Sequence, residues 1–246
     1  MSATTNRNSY LNPRVLFNFN HLEKPVQEHL KNVYSTLSIG LITAGIFSYL
    51  FCAIPHIRMM ATNFMFLTSI LSLVSVLYIH FTEHNSENVI KRFSAFLAFA
   101  SFTGLSLGPL IHMSLVIDPE MVTTAFFTTA IIFVSFTLSA LMSNRRSFIF
   151  LGGILGSMIT SLVVLSLMNI FIGSTMIFSI QVYAGLAVFC GFVLYDTQII
   201  CEKRRMGNTD FVKHSLELFL DFVEIFKHML IILNDKNNRK RKNRDD

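Results

Sequence analysis

The chain has 246 residues, enough for one ordinary domain or two small ones. Hydrophobic residues make up 52% and charged residues 14%, with a net charge of +5, whereas soluble domains carry about 25% charged residues. Five apolar stretches contain no Asp, Glu, Lys or Arg, and a water-soluble core cannot hide that many, so the composition excludes a soluble fold and points to an integral membrane protein.

Residues 1–31 are polar, carry Arg7, Arg14, Lys24 and Lys31, and lack an apolar run followed by a small-residue cleavage site. They read as a cytosolic N-terminal segment, and the first apolar stretch as a retained span. A helix needs about 20 apolar residues to cross the hydrocarbon core. The stretches 32–54, 59–81, 93–113, 121–142, 148–168, 176–200 and 211–233 qualify or nearly do. A β-barrel would show short alternating segments instead. The expected fold class is an all-α membrane protein: a seven-helix bundle over 32–233, followed by a basic tail over 234–246.

Gly104/Gly108 and Gly152/Gly156 are small pairs that allow close helix approach, and Pro109 is expected to kink the third span. His80 and His84 lie four residues apart beside Glu83, without an HExxH pattern or a third metal ligand. His112 follows Gly108-Pro109 and reads as a hydrogen-bonded group near a helix end, the alternative being a cavity wall. Cys52, Cys190 and Cys201 form no CxxC pair, so neither a disulfide framework nor a zinc knuckle is implied. The 25 Phe and 12 Met are lipid-facing and core material. No tightly bound cofactor and no nucleic-acid partner are expected.

Lys and Arg number four in the N-terminal segment, then one, two, zero, two, zero and three in successive loops, and six in the tail. By the positive-inside rule the N-terminus and the loops holding Lys91/Arg92, Arg145/Arg146 and Lys203/Arg204/Arg205 are cytosolic. A full seventh crossing would then carry Lys236, Arg239, Lys240, Arg241, Lys242 and Arg244 to the other side, against the same rule. The seventh segment is also the most polar. His214, Glu217, Asp221, Glu224 and His228 follow helical spacing along one stripe. Such a helix lies at the interface, dips in and returns, or sits at the bundle centre with its stripe on a wet path.

Asp196 stands in Gly191-Phe-Val-Leu-Tyr-Asp-Thr-Gln198 near the cytosolic end of the sixth span. A carboxylate at a helix centre costs about 2.5–3.5 kcal/mol on insertion scales, so such residues are usually paired or functional. The turn Met206-Gly-Asn-Thr-Asp210 folds the sixth and seventh segments into an antiparallel hairpin. Asp196 and Asp221 are equidistant from that turn and therefore fall at one depth. If both face inward they share a proton and, when ionised, attract a cation. The alternative is that each caps a backbone group or pairs with Lys203, Arg204 or Lys227.

At these residues the chain resembles the Bax inhibitor-1 family of transmembrane Bax inhibitor motif proteins. The likeness runs through Thr103-Gly-Leu-Ser-Leu-Gly-Pro109, Phe136-Thr-Leu-Ser-Ala-Leu141, Arg145-Arg-Ser and Leu151-Gly-Gly-Ile-Leu155. It continues through Cys190-Gly-Phe-Val-Leu-Tyr-Asp-Thr-Gln198 and Leu218-Phe-Leu-Asp-Phe222 into the basic tail. The resemblance implies six helices around a central seventh, an endoplasmic reticulum membrane location and a cytosolic C-terminus. It further implies a pH-sensitive calcium leak and suppression of Bax-driven and stress-driven cell death; Bcl-2-type proteins and other membrane proteins are the partners expected if the protein is instead a scaffold.

The family's paired aspartates carry over to Asp196 and Asp221, with calcium as the transported ion and Glu217 and Glu224 extending the acidic face. Lys91 and Arg92 are the candidates for a basic latch on the pair, and the second span holds no acid of the kind some relatives use for calcium entry.

Two other classes compete. An intramembrane aspartyl protease also uses two aspartates on adjacent helices, but its second belongs in a Gly-x-Gly-Asp turn, and Leu218-Phe-Leu-Asp221 has no glycine. A scaffold without transport activity would use the basic tail, at about 1 kcal/mol per basic residue, against anionic lipid or an acidic partner.

Overall fold

A computed structural model of the chain describes residues 22–245, with side chains described as far as residue 238. The tail residues Arg239, Lys240, Arg241, Lys242 and Arg244 therefore lie outside the described side chains. The described residues form eight helices and no strand: α1 (Lys24–Ala53), α2 (Pro55–Asn63), α3 (Met65–Phe81), α4 (Val89–Ile117), α5 (Glu120–Met142), α6 (Leu151–Ile172), α7 (Thr175–Arg205) and α8 (Phe211–Asp245). Five of them, α1, α4, α5, α6 and α7, are long and apolar enough to cross a membrane, and the bent pair α2 and α3 makes a sixth crossing if counted as one span. Side chains such as Phe66, Phe171 and Ile131 stand well exposed along these helices, as lipid-facing residues must.

The expected second span, 59–81, is not one straight helix. Pro55 forces Ile54 into extended backbone (φ −111°, ψ 106°) and starts α2 at its first position. A second break at Phe64 sets α2 and α3 at 76° to each other. No residue of α2 is buried. The 17 residues of α3 reach only about 25 Å at 1.5 Å per residue, short of the ~30 Å hydrocarbon core. The remaining spans agree with the hydropathy reading to within a few residues, with two exceptions: α1 begins at Lys24, inside the segment assigned to the cytosol, and α8 runs on to Asp245, through the segment expected to be a tail.

The small pair Gly104/Gly108 sits where α1 crosses α4. A side chain at Gly104 would collide with the Ala44 carbonyl, and one at Gly108 with the Phe51 ring. Ser48 Oγ uses that proximity to donate to the Gly104 carbonyl at 2.8 Å. The second pair is only half used: Gly152 meets the Tyr195 ring, while Gly156 has nothing near it. Pro109 sits inside α4 without ending it.

The seventh segment is a continuous helix without a break for a dip and return. Its start lies at one end of the bundle, near Arg92 and Lys203. By Asn234 it has reached Ser114 in the last turn of α4, a 2.8 Å hydrogen bond between buried side chains. Lys236 then shares a recess with Asp118 and Glu120. Along this path α8 packs against α1, α3, α4, α5 and α7, with Val212, Leu218, Phe219, Ile225 and Leu230 fully buried. The bundle thus puts residue 24 and residue 236 at opposite ends, since Glu23 pairs with Arg205 beside the start of α8. The expectation of two termini on one side does not follow from this geometry.

Candidate functional site

The polar stripe of α8 faces α7 along most of its length. The turn 206–210, with Gly207 at φ +94°, sets the register, and residues equidistant from it meet. Glu217 is 3.4 Å from Lys203 Nζ. Asp221 interacts directly with Asp196, carboxyl to carboxyl. His228 fills the space left by Gly185, where any Cβ would strike the imidazole ring. Asp221 is 4% exposed, and its Oδ2 is buried. Glu224 turns instead to its own helix, 2.5 Å from Lys227. Neither aspartate is held by Arg204 or Lys227.

Tyr34 of α1, Thr137 of α5 and Thr197 of α7 bring their hydroxyls together between these helices, each oxygen buried. Among the described residues no group of three or more His, Cys, Asp or Glu is arranged to hold a metal ion. Two carboxylates supply at most four of the six to eight oxygens that calcium takes.

The latch candidates part company. Lys91 is exposed, whereas Arg92 is 1% exposed, with its Nη2 donating to Asp210 Oδ2 at 2.6 Å and to the Ile79 carbonyl at 2.8 Å. Arg92 therefore grips the α7–α8 turn rather than the Asp196/Asp221 pair. Asp210 is also the cap of α8, since its Oδ1 accepts from the Lys213 N–H at 3.0 Å. His84 Nδ1 approaches the same carboxylate at 3.4 Å. Burial pushes the Asp210 carboxyl up, but the Arg92 guanidinium and the Lys213 N–H outweigh it and hold the group below the usual carboxylate range. Burial lowers His84 further than Asp210 raises it, and Arg92 adds to the lowering. His80 is exposed and does not join His84. His112 bonds Arg58, a hydrogen-bonded group within the last two turns of α4.

Two further polar devices were not singled out in the sequence. Buried Glu202 binds Arg145 through both oxygens at 2.7 and 3.0 Å, and also binds Arg146 and Arg205. Gln198 accepts from the Phe148 N–H and donates to the Ala140 and Asn144 carbonyls. Together they clamp the α5–α6 loop, in which Arg146 takes a left-handed backbone (φ 64°), onto α7. Arg145-Arg and Gln198 both lie in the motifs quoted above, but only the folded loop shows what they hold. The second device is His29 Nε2, 2.8 Å from His214 Nδ1, both rings buried between α1 and α8.

A family model described as inhibitor of apoptosis-promoting Bax1 matches residues 26–238. The chain is 43% identical over 229 residues to a probable Bax inhibitor 1 of Paralichthys olivaceus, covering 92% of this chain and 94% of that one. It is 39% identical over 237 residues to Bax inhibitor 1 of Homo sapiens, covering 94% and 97%. The Arabidopsis thaliana Bax inhibitor 1 is 39% identical over 219 residues, covering 89% and 85%. With the match extending over nearly all the described helices and including both aspartates of the α7–α8 hairpin, the chain belongs to the Bax inhibitor family of multi-pass membrane proteins.

Proposed function

We propose that this protein restrains cell death from the endoplasmic reticulum membrane and lets calcium leak from the store in a pH-dependent way. The observation that carries the transport reading is the direct contact of Asp196 with Asp221 between α7 and α8. A hydrogen bond between two carboxyls needs a shared proton, and this one ties α8 to α7. Without the proton the two negative charges repel each other and attract a cation, which loosens the seal and lines the path in one event. Glu217 adds its charge to that repulsion, and Lys203, 3.4 Å from it, offsets part of it. The clustered, buried hydroxyls of Tyr34, Thr137 and Thr197 supply the polar wall that a partly hydrated ion requires.

The anti-apoptotic part of the proposal rests on the family and on the relatives named Bax inhibitor 1. The deciding experiment is calcium flux from proteoliposomes between about pH 5 and 8, with wild type, Asp196→Asn and Asp221→Asn. The expected result is a wild-type leak whose pH dependence disappears in both variants while their melting in detergent stays close to wild type. Wild-type vesicles no leakier than empty ones would remove the transport reading and favour a scaffold that acts by binding Bcl-2-type proteins or other membrane proteins.

A further inference from the structure

A second site begins beside the aspartate pair, at Phe222 and Val223 of α8, and runs along α1 to Cys52 near its C-terminal end. Between α1 and α5, floored by α4 and α8, is a cavity of about 410 Å³ walled by Leu41, Tyr49, Cys52, Ile111, Phe126 and Phe226. Cavities near 150 Å³ take benzene and ligand pockets start at roughly 300 Å³, so this one accepts a larger apolar ligand. Its mouth is formed by residues exposed on the two helices, Gly45 and Tyr49 on α1 and Thr123 and Phe126 on α5. Both are membrane-spanning helices, so the mouth opens to bilayer hydrocarbon.

The dimensions and the charge at one end choose the occupant. From Leu41 to Cys52 the groove follows 11 residues of α1, about 16 Å at 1.5 Å per residue and half of a ~30 Å hydrocarbon core. That is the depth of one acyl chain in one leaflet. At the outer end stands Arg58 on α2, the helix with no buried residue that bends away from α3. Its Nη2 donates to the carbonyl of Cys52, a wall residue, and its Nη1 meets His112, the neighbour of wall residue Ile111. Among the described residues Arg58 forms no ion pair with a carboxylate. The nearby acids Asp118 and Glu120 line a separate recess with Lys236. We infer that this groove binds an anionic phospholipid, one acyl chain between α1 and α5 and the phosphate on the Arg58 guanidinium.

The test is native mass spectrometry of the full chain extracted from vesicles of equal parts phosphatidylglycerol and phosphatidylcholine. Wild type is expected to retain a phospholipid, with phosphatidylglycerol favoured about five-fold, the effect of one basic residue at an anionic surface. Arg58→Gln should retain lipid without the preference. Gly45→Leu, at a wall position where an added Cβ meets nothing within 4 Å, should lose the retained lipid altogether. Because the chain contains no tryptophan, Tyr49→Trp adds a single reporter at the mouth, and brominated phosphatidylglycerol should quench it more than brominated phosphatidylcholine. No retained lipid in wild type, equal retention of the two lipids, an unchanged preference in Arg58→Gln, or unchanged retention in Gly45→Leu would each overturn the assignment.

Discussion

Asp196 and Asp221 were readable as neighbours because an antiparallel hairpin converts distance from the turn into depth. The partner of Arg92 was not readable, because it depends on where α3, α4 and the α7–α8 turn converge. Arg92→Ala leaves Asp210 and the Ile79 carbonyl without their buried donor and is expected to cost about 3 kcal/mol. Thermal unfolding in detergent would read this as a lower midpoint, with Arg92→Lys recovering only part because a lysine cannot reproduce the planar guanidinium. The pH behaviour of this cluster has a definite sign. Asp210, held below its usual range, keeps its full contribution at neutral pH and loses it only as pH falls through that lowered value. His84 is half-buried and held below its ordinary 6.5 by desolvation. The unfolded chain therefore takes up that proton first, and stability falls as pH drops from 6.5 towards the folded-state value. His84→Gln should flatten that limb of a melting-temperature profile against pH, and an unchanged profile would assign the acid sensitivity elsewhere.

Among the elements, helix existence was the easiest inference and helix junctions the hardest. Pro55 announces the start of α2, but nothing at Asn63-Phe64-Met65 is a turn signal, so the 76° bend comes from the packing of α3 on α4 rather than from local chemistry. The two glycine pairs show the same limit: equal spacing, unequal use. Gly104→Val would drive its side chain into the Ala44 backbone and is expected to cost about 1–3 kcal/mol through overpacking. Gly156→Val, with open space around it, should stay within about 0.5 kcal/mol. Comparing their unfolding midpoints in one detergent checks both. Similar losses would mean that the α1–α4 contact does not depend on Gly104.

At the scale of the whole molecule, the polar seventh helix has to be accommodated in the bilayer. Its acids have partners on other helices and on itself: Glu217 pairs with Lys203 and Glu224 with Lys227, and Asp221 shares a proton with Asp196. With those partners α8 can pass from end to end without exposing its stripe to lipid, although charge counting in the loops argues against a seventh crossing. In a background with Cys52, Cys190 and Cys201 replaced, Asn208→Cys and Lys236→Cys, both exposed positions, should react with an impermeant maleimide from opposite faces of sealed vesicles. Reaction of both from one face would mean that α8 does not cross in the membrane.

Hydropathy, periodicity and the charge of loops are properties of short windows, and they sufficed for the all-helical membrane class, most span boundaries and the common depth of the two aspartates. Partners distant in sequence were left to the tertiary structure. It decided that Arg92 holds Asp210, that Glu202 and Gln198 clamp the α5–α6 loop, that α2 breaks from α3, and that α1 and α5 leave a groove under Arg58. The reason is physical. A helix face can bury its apolar or polar residues against several different neighbours with similar local cost, and only the simultaneous packing of all the helices selects among them.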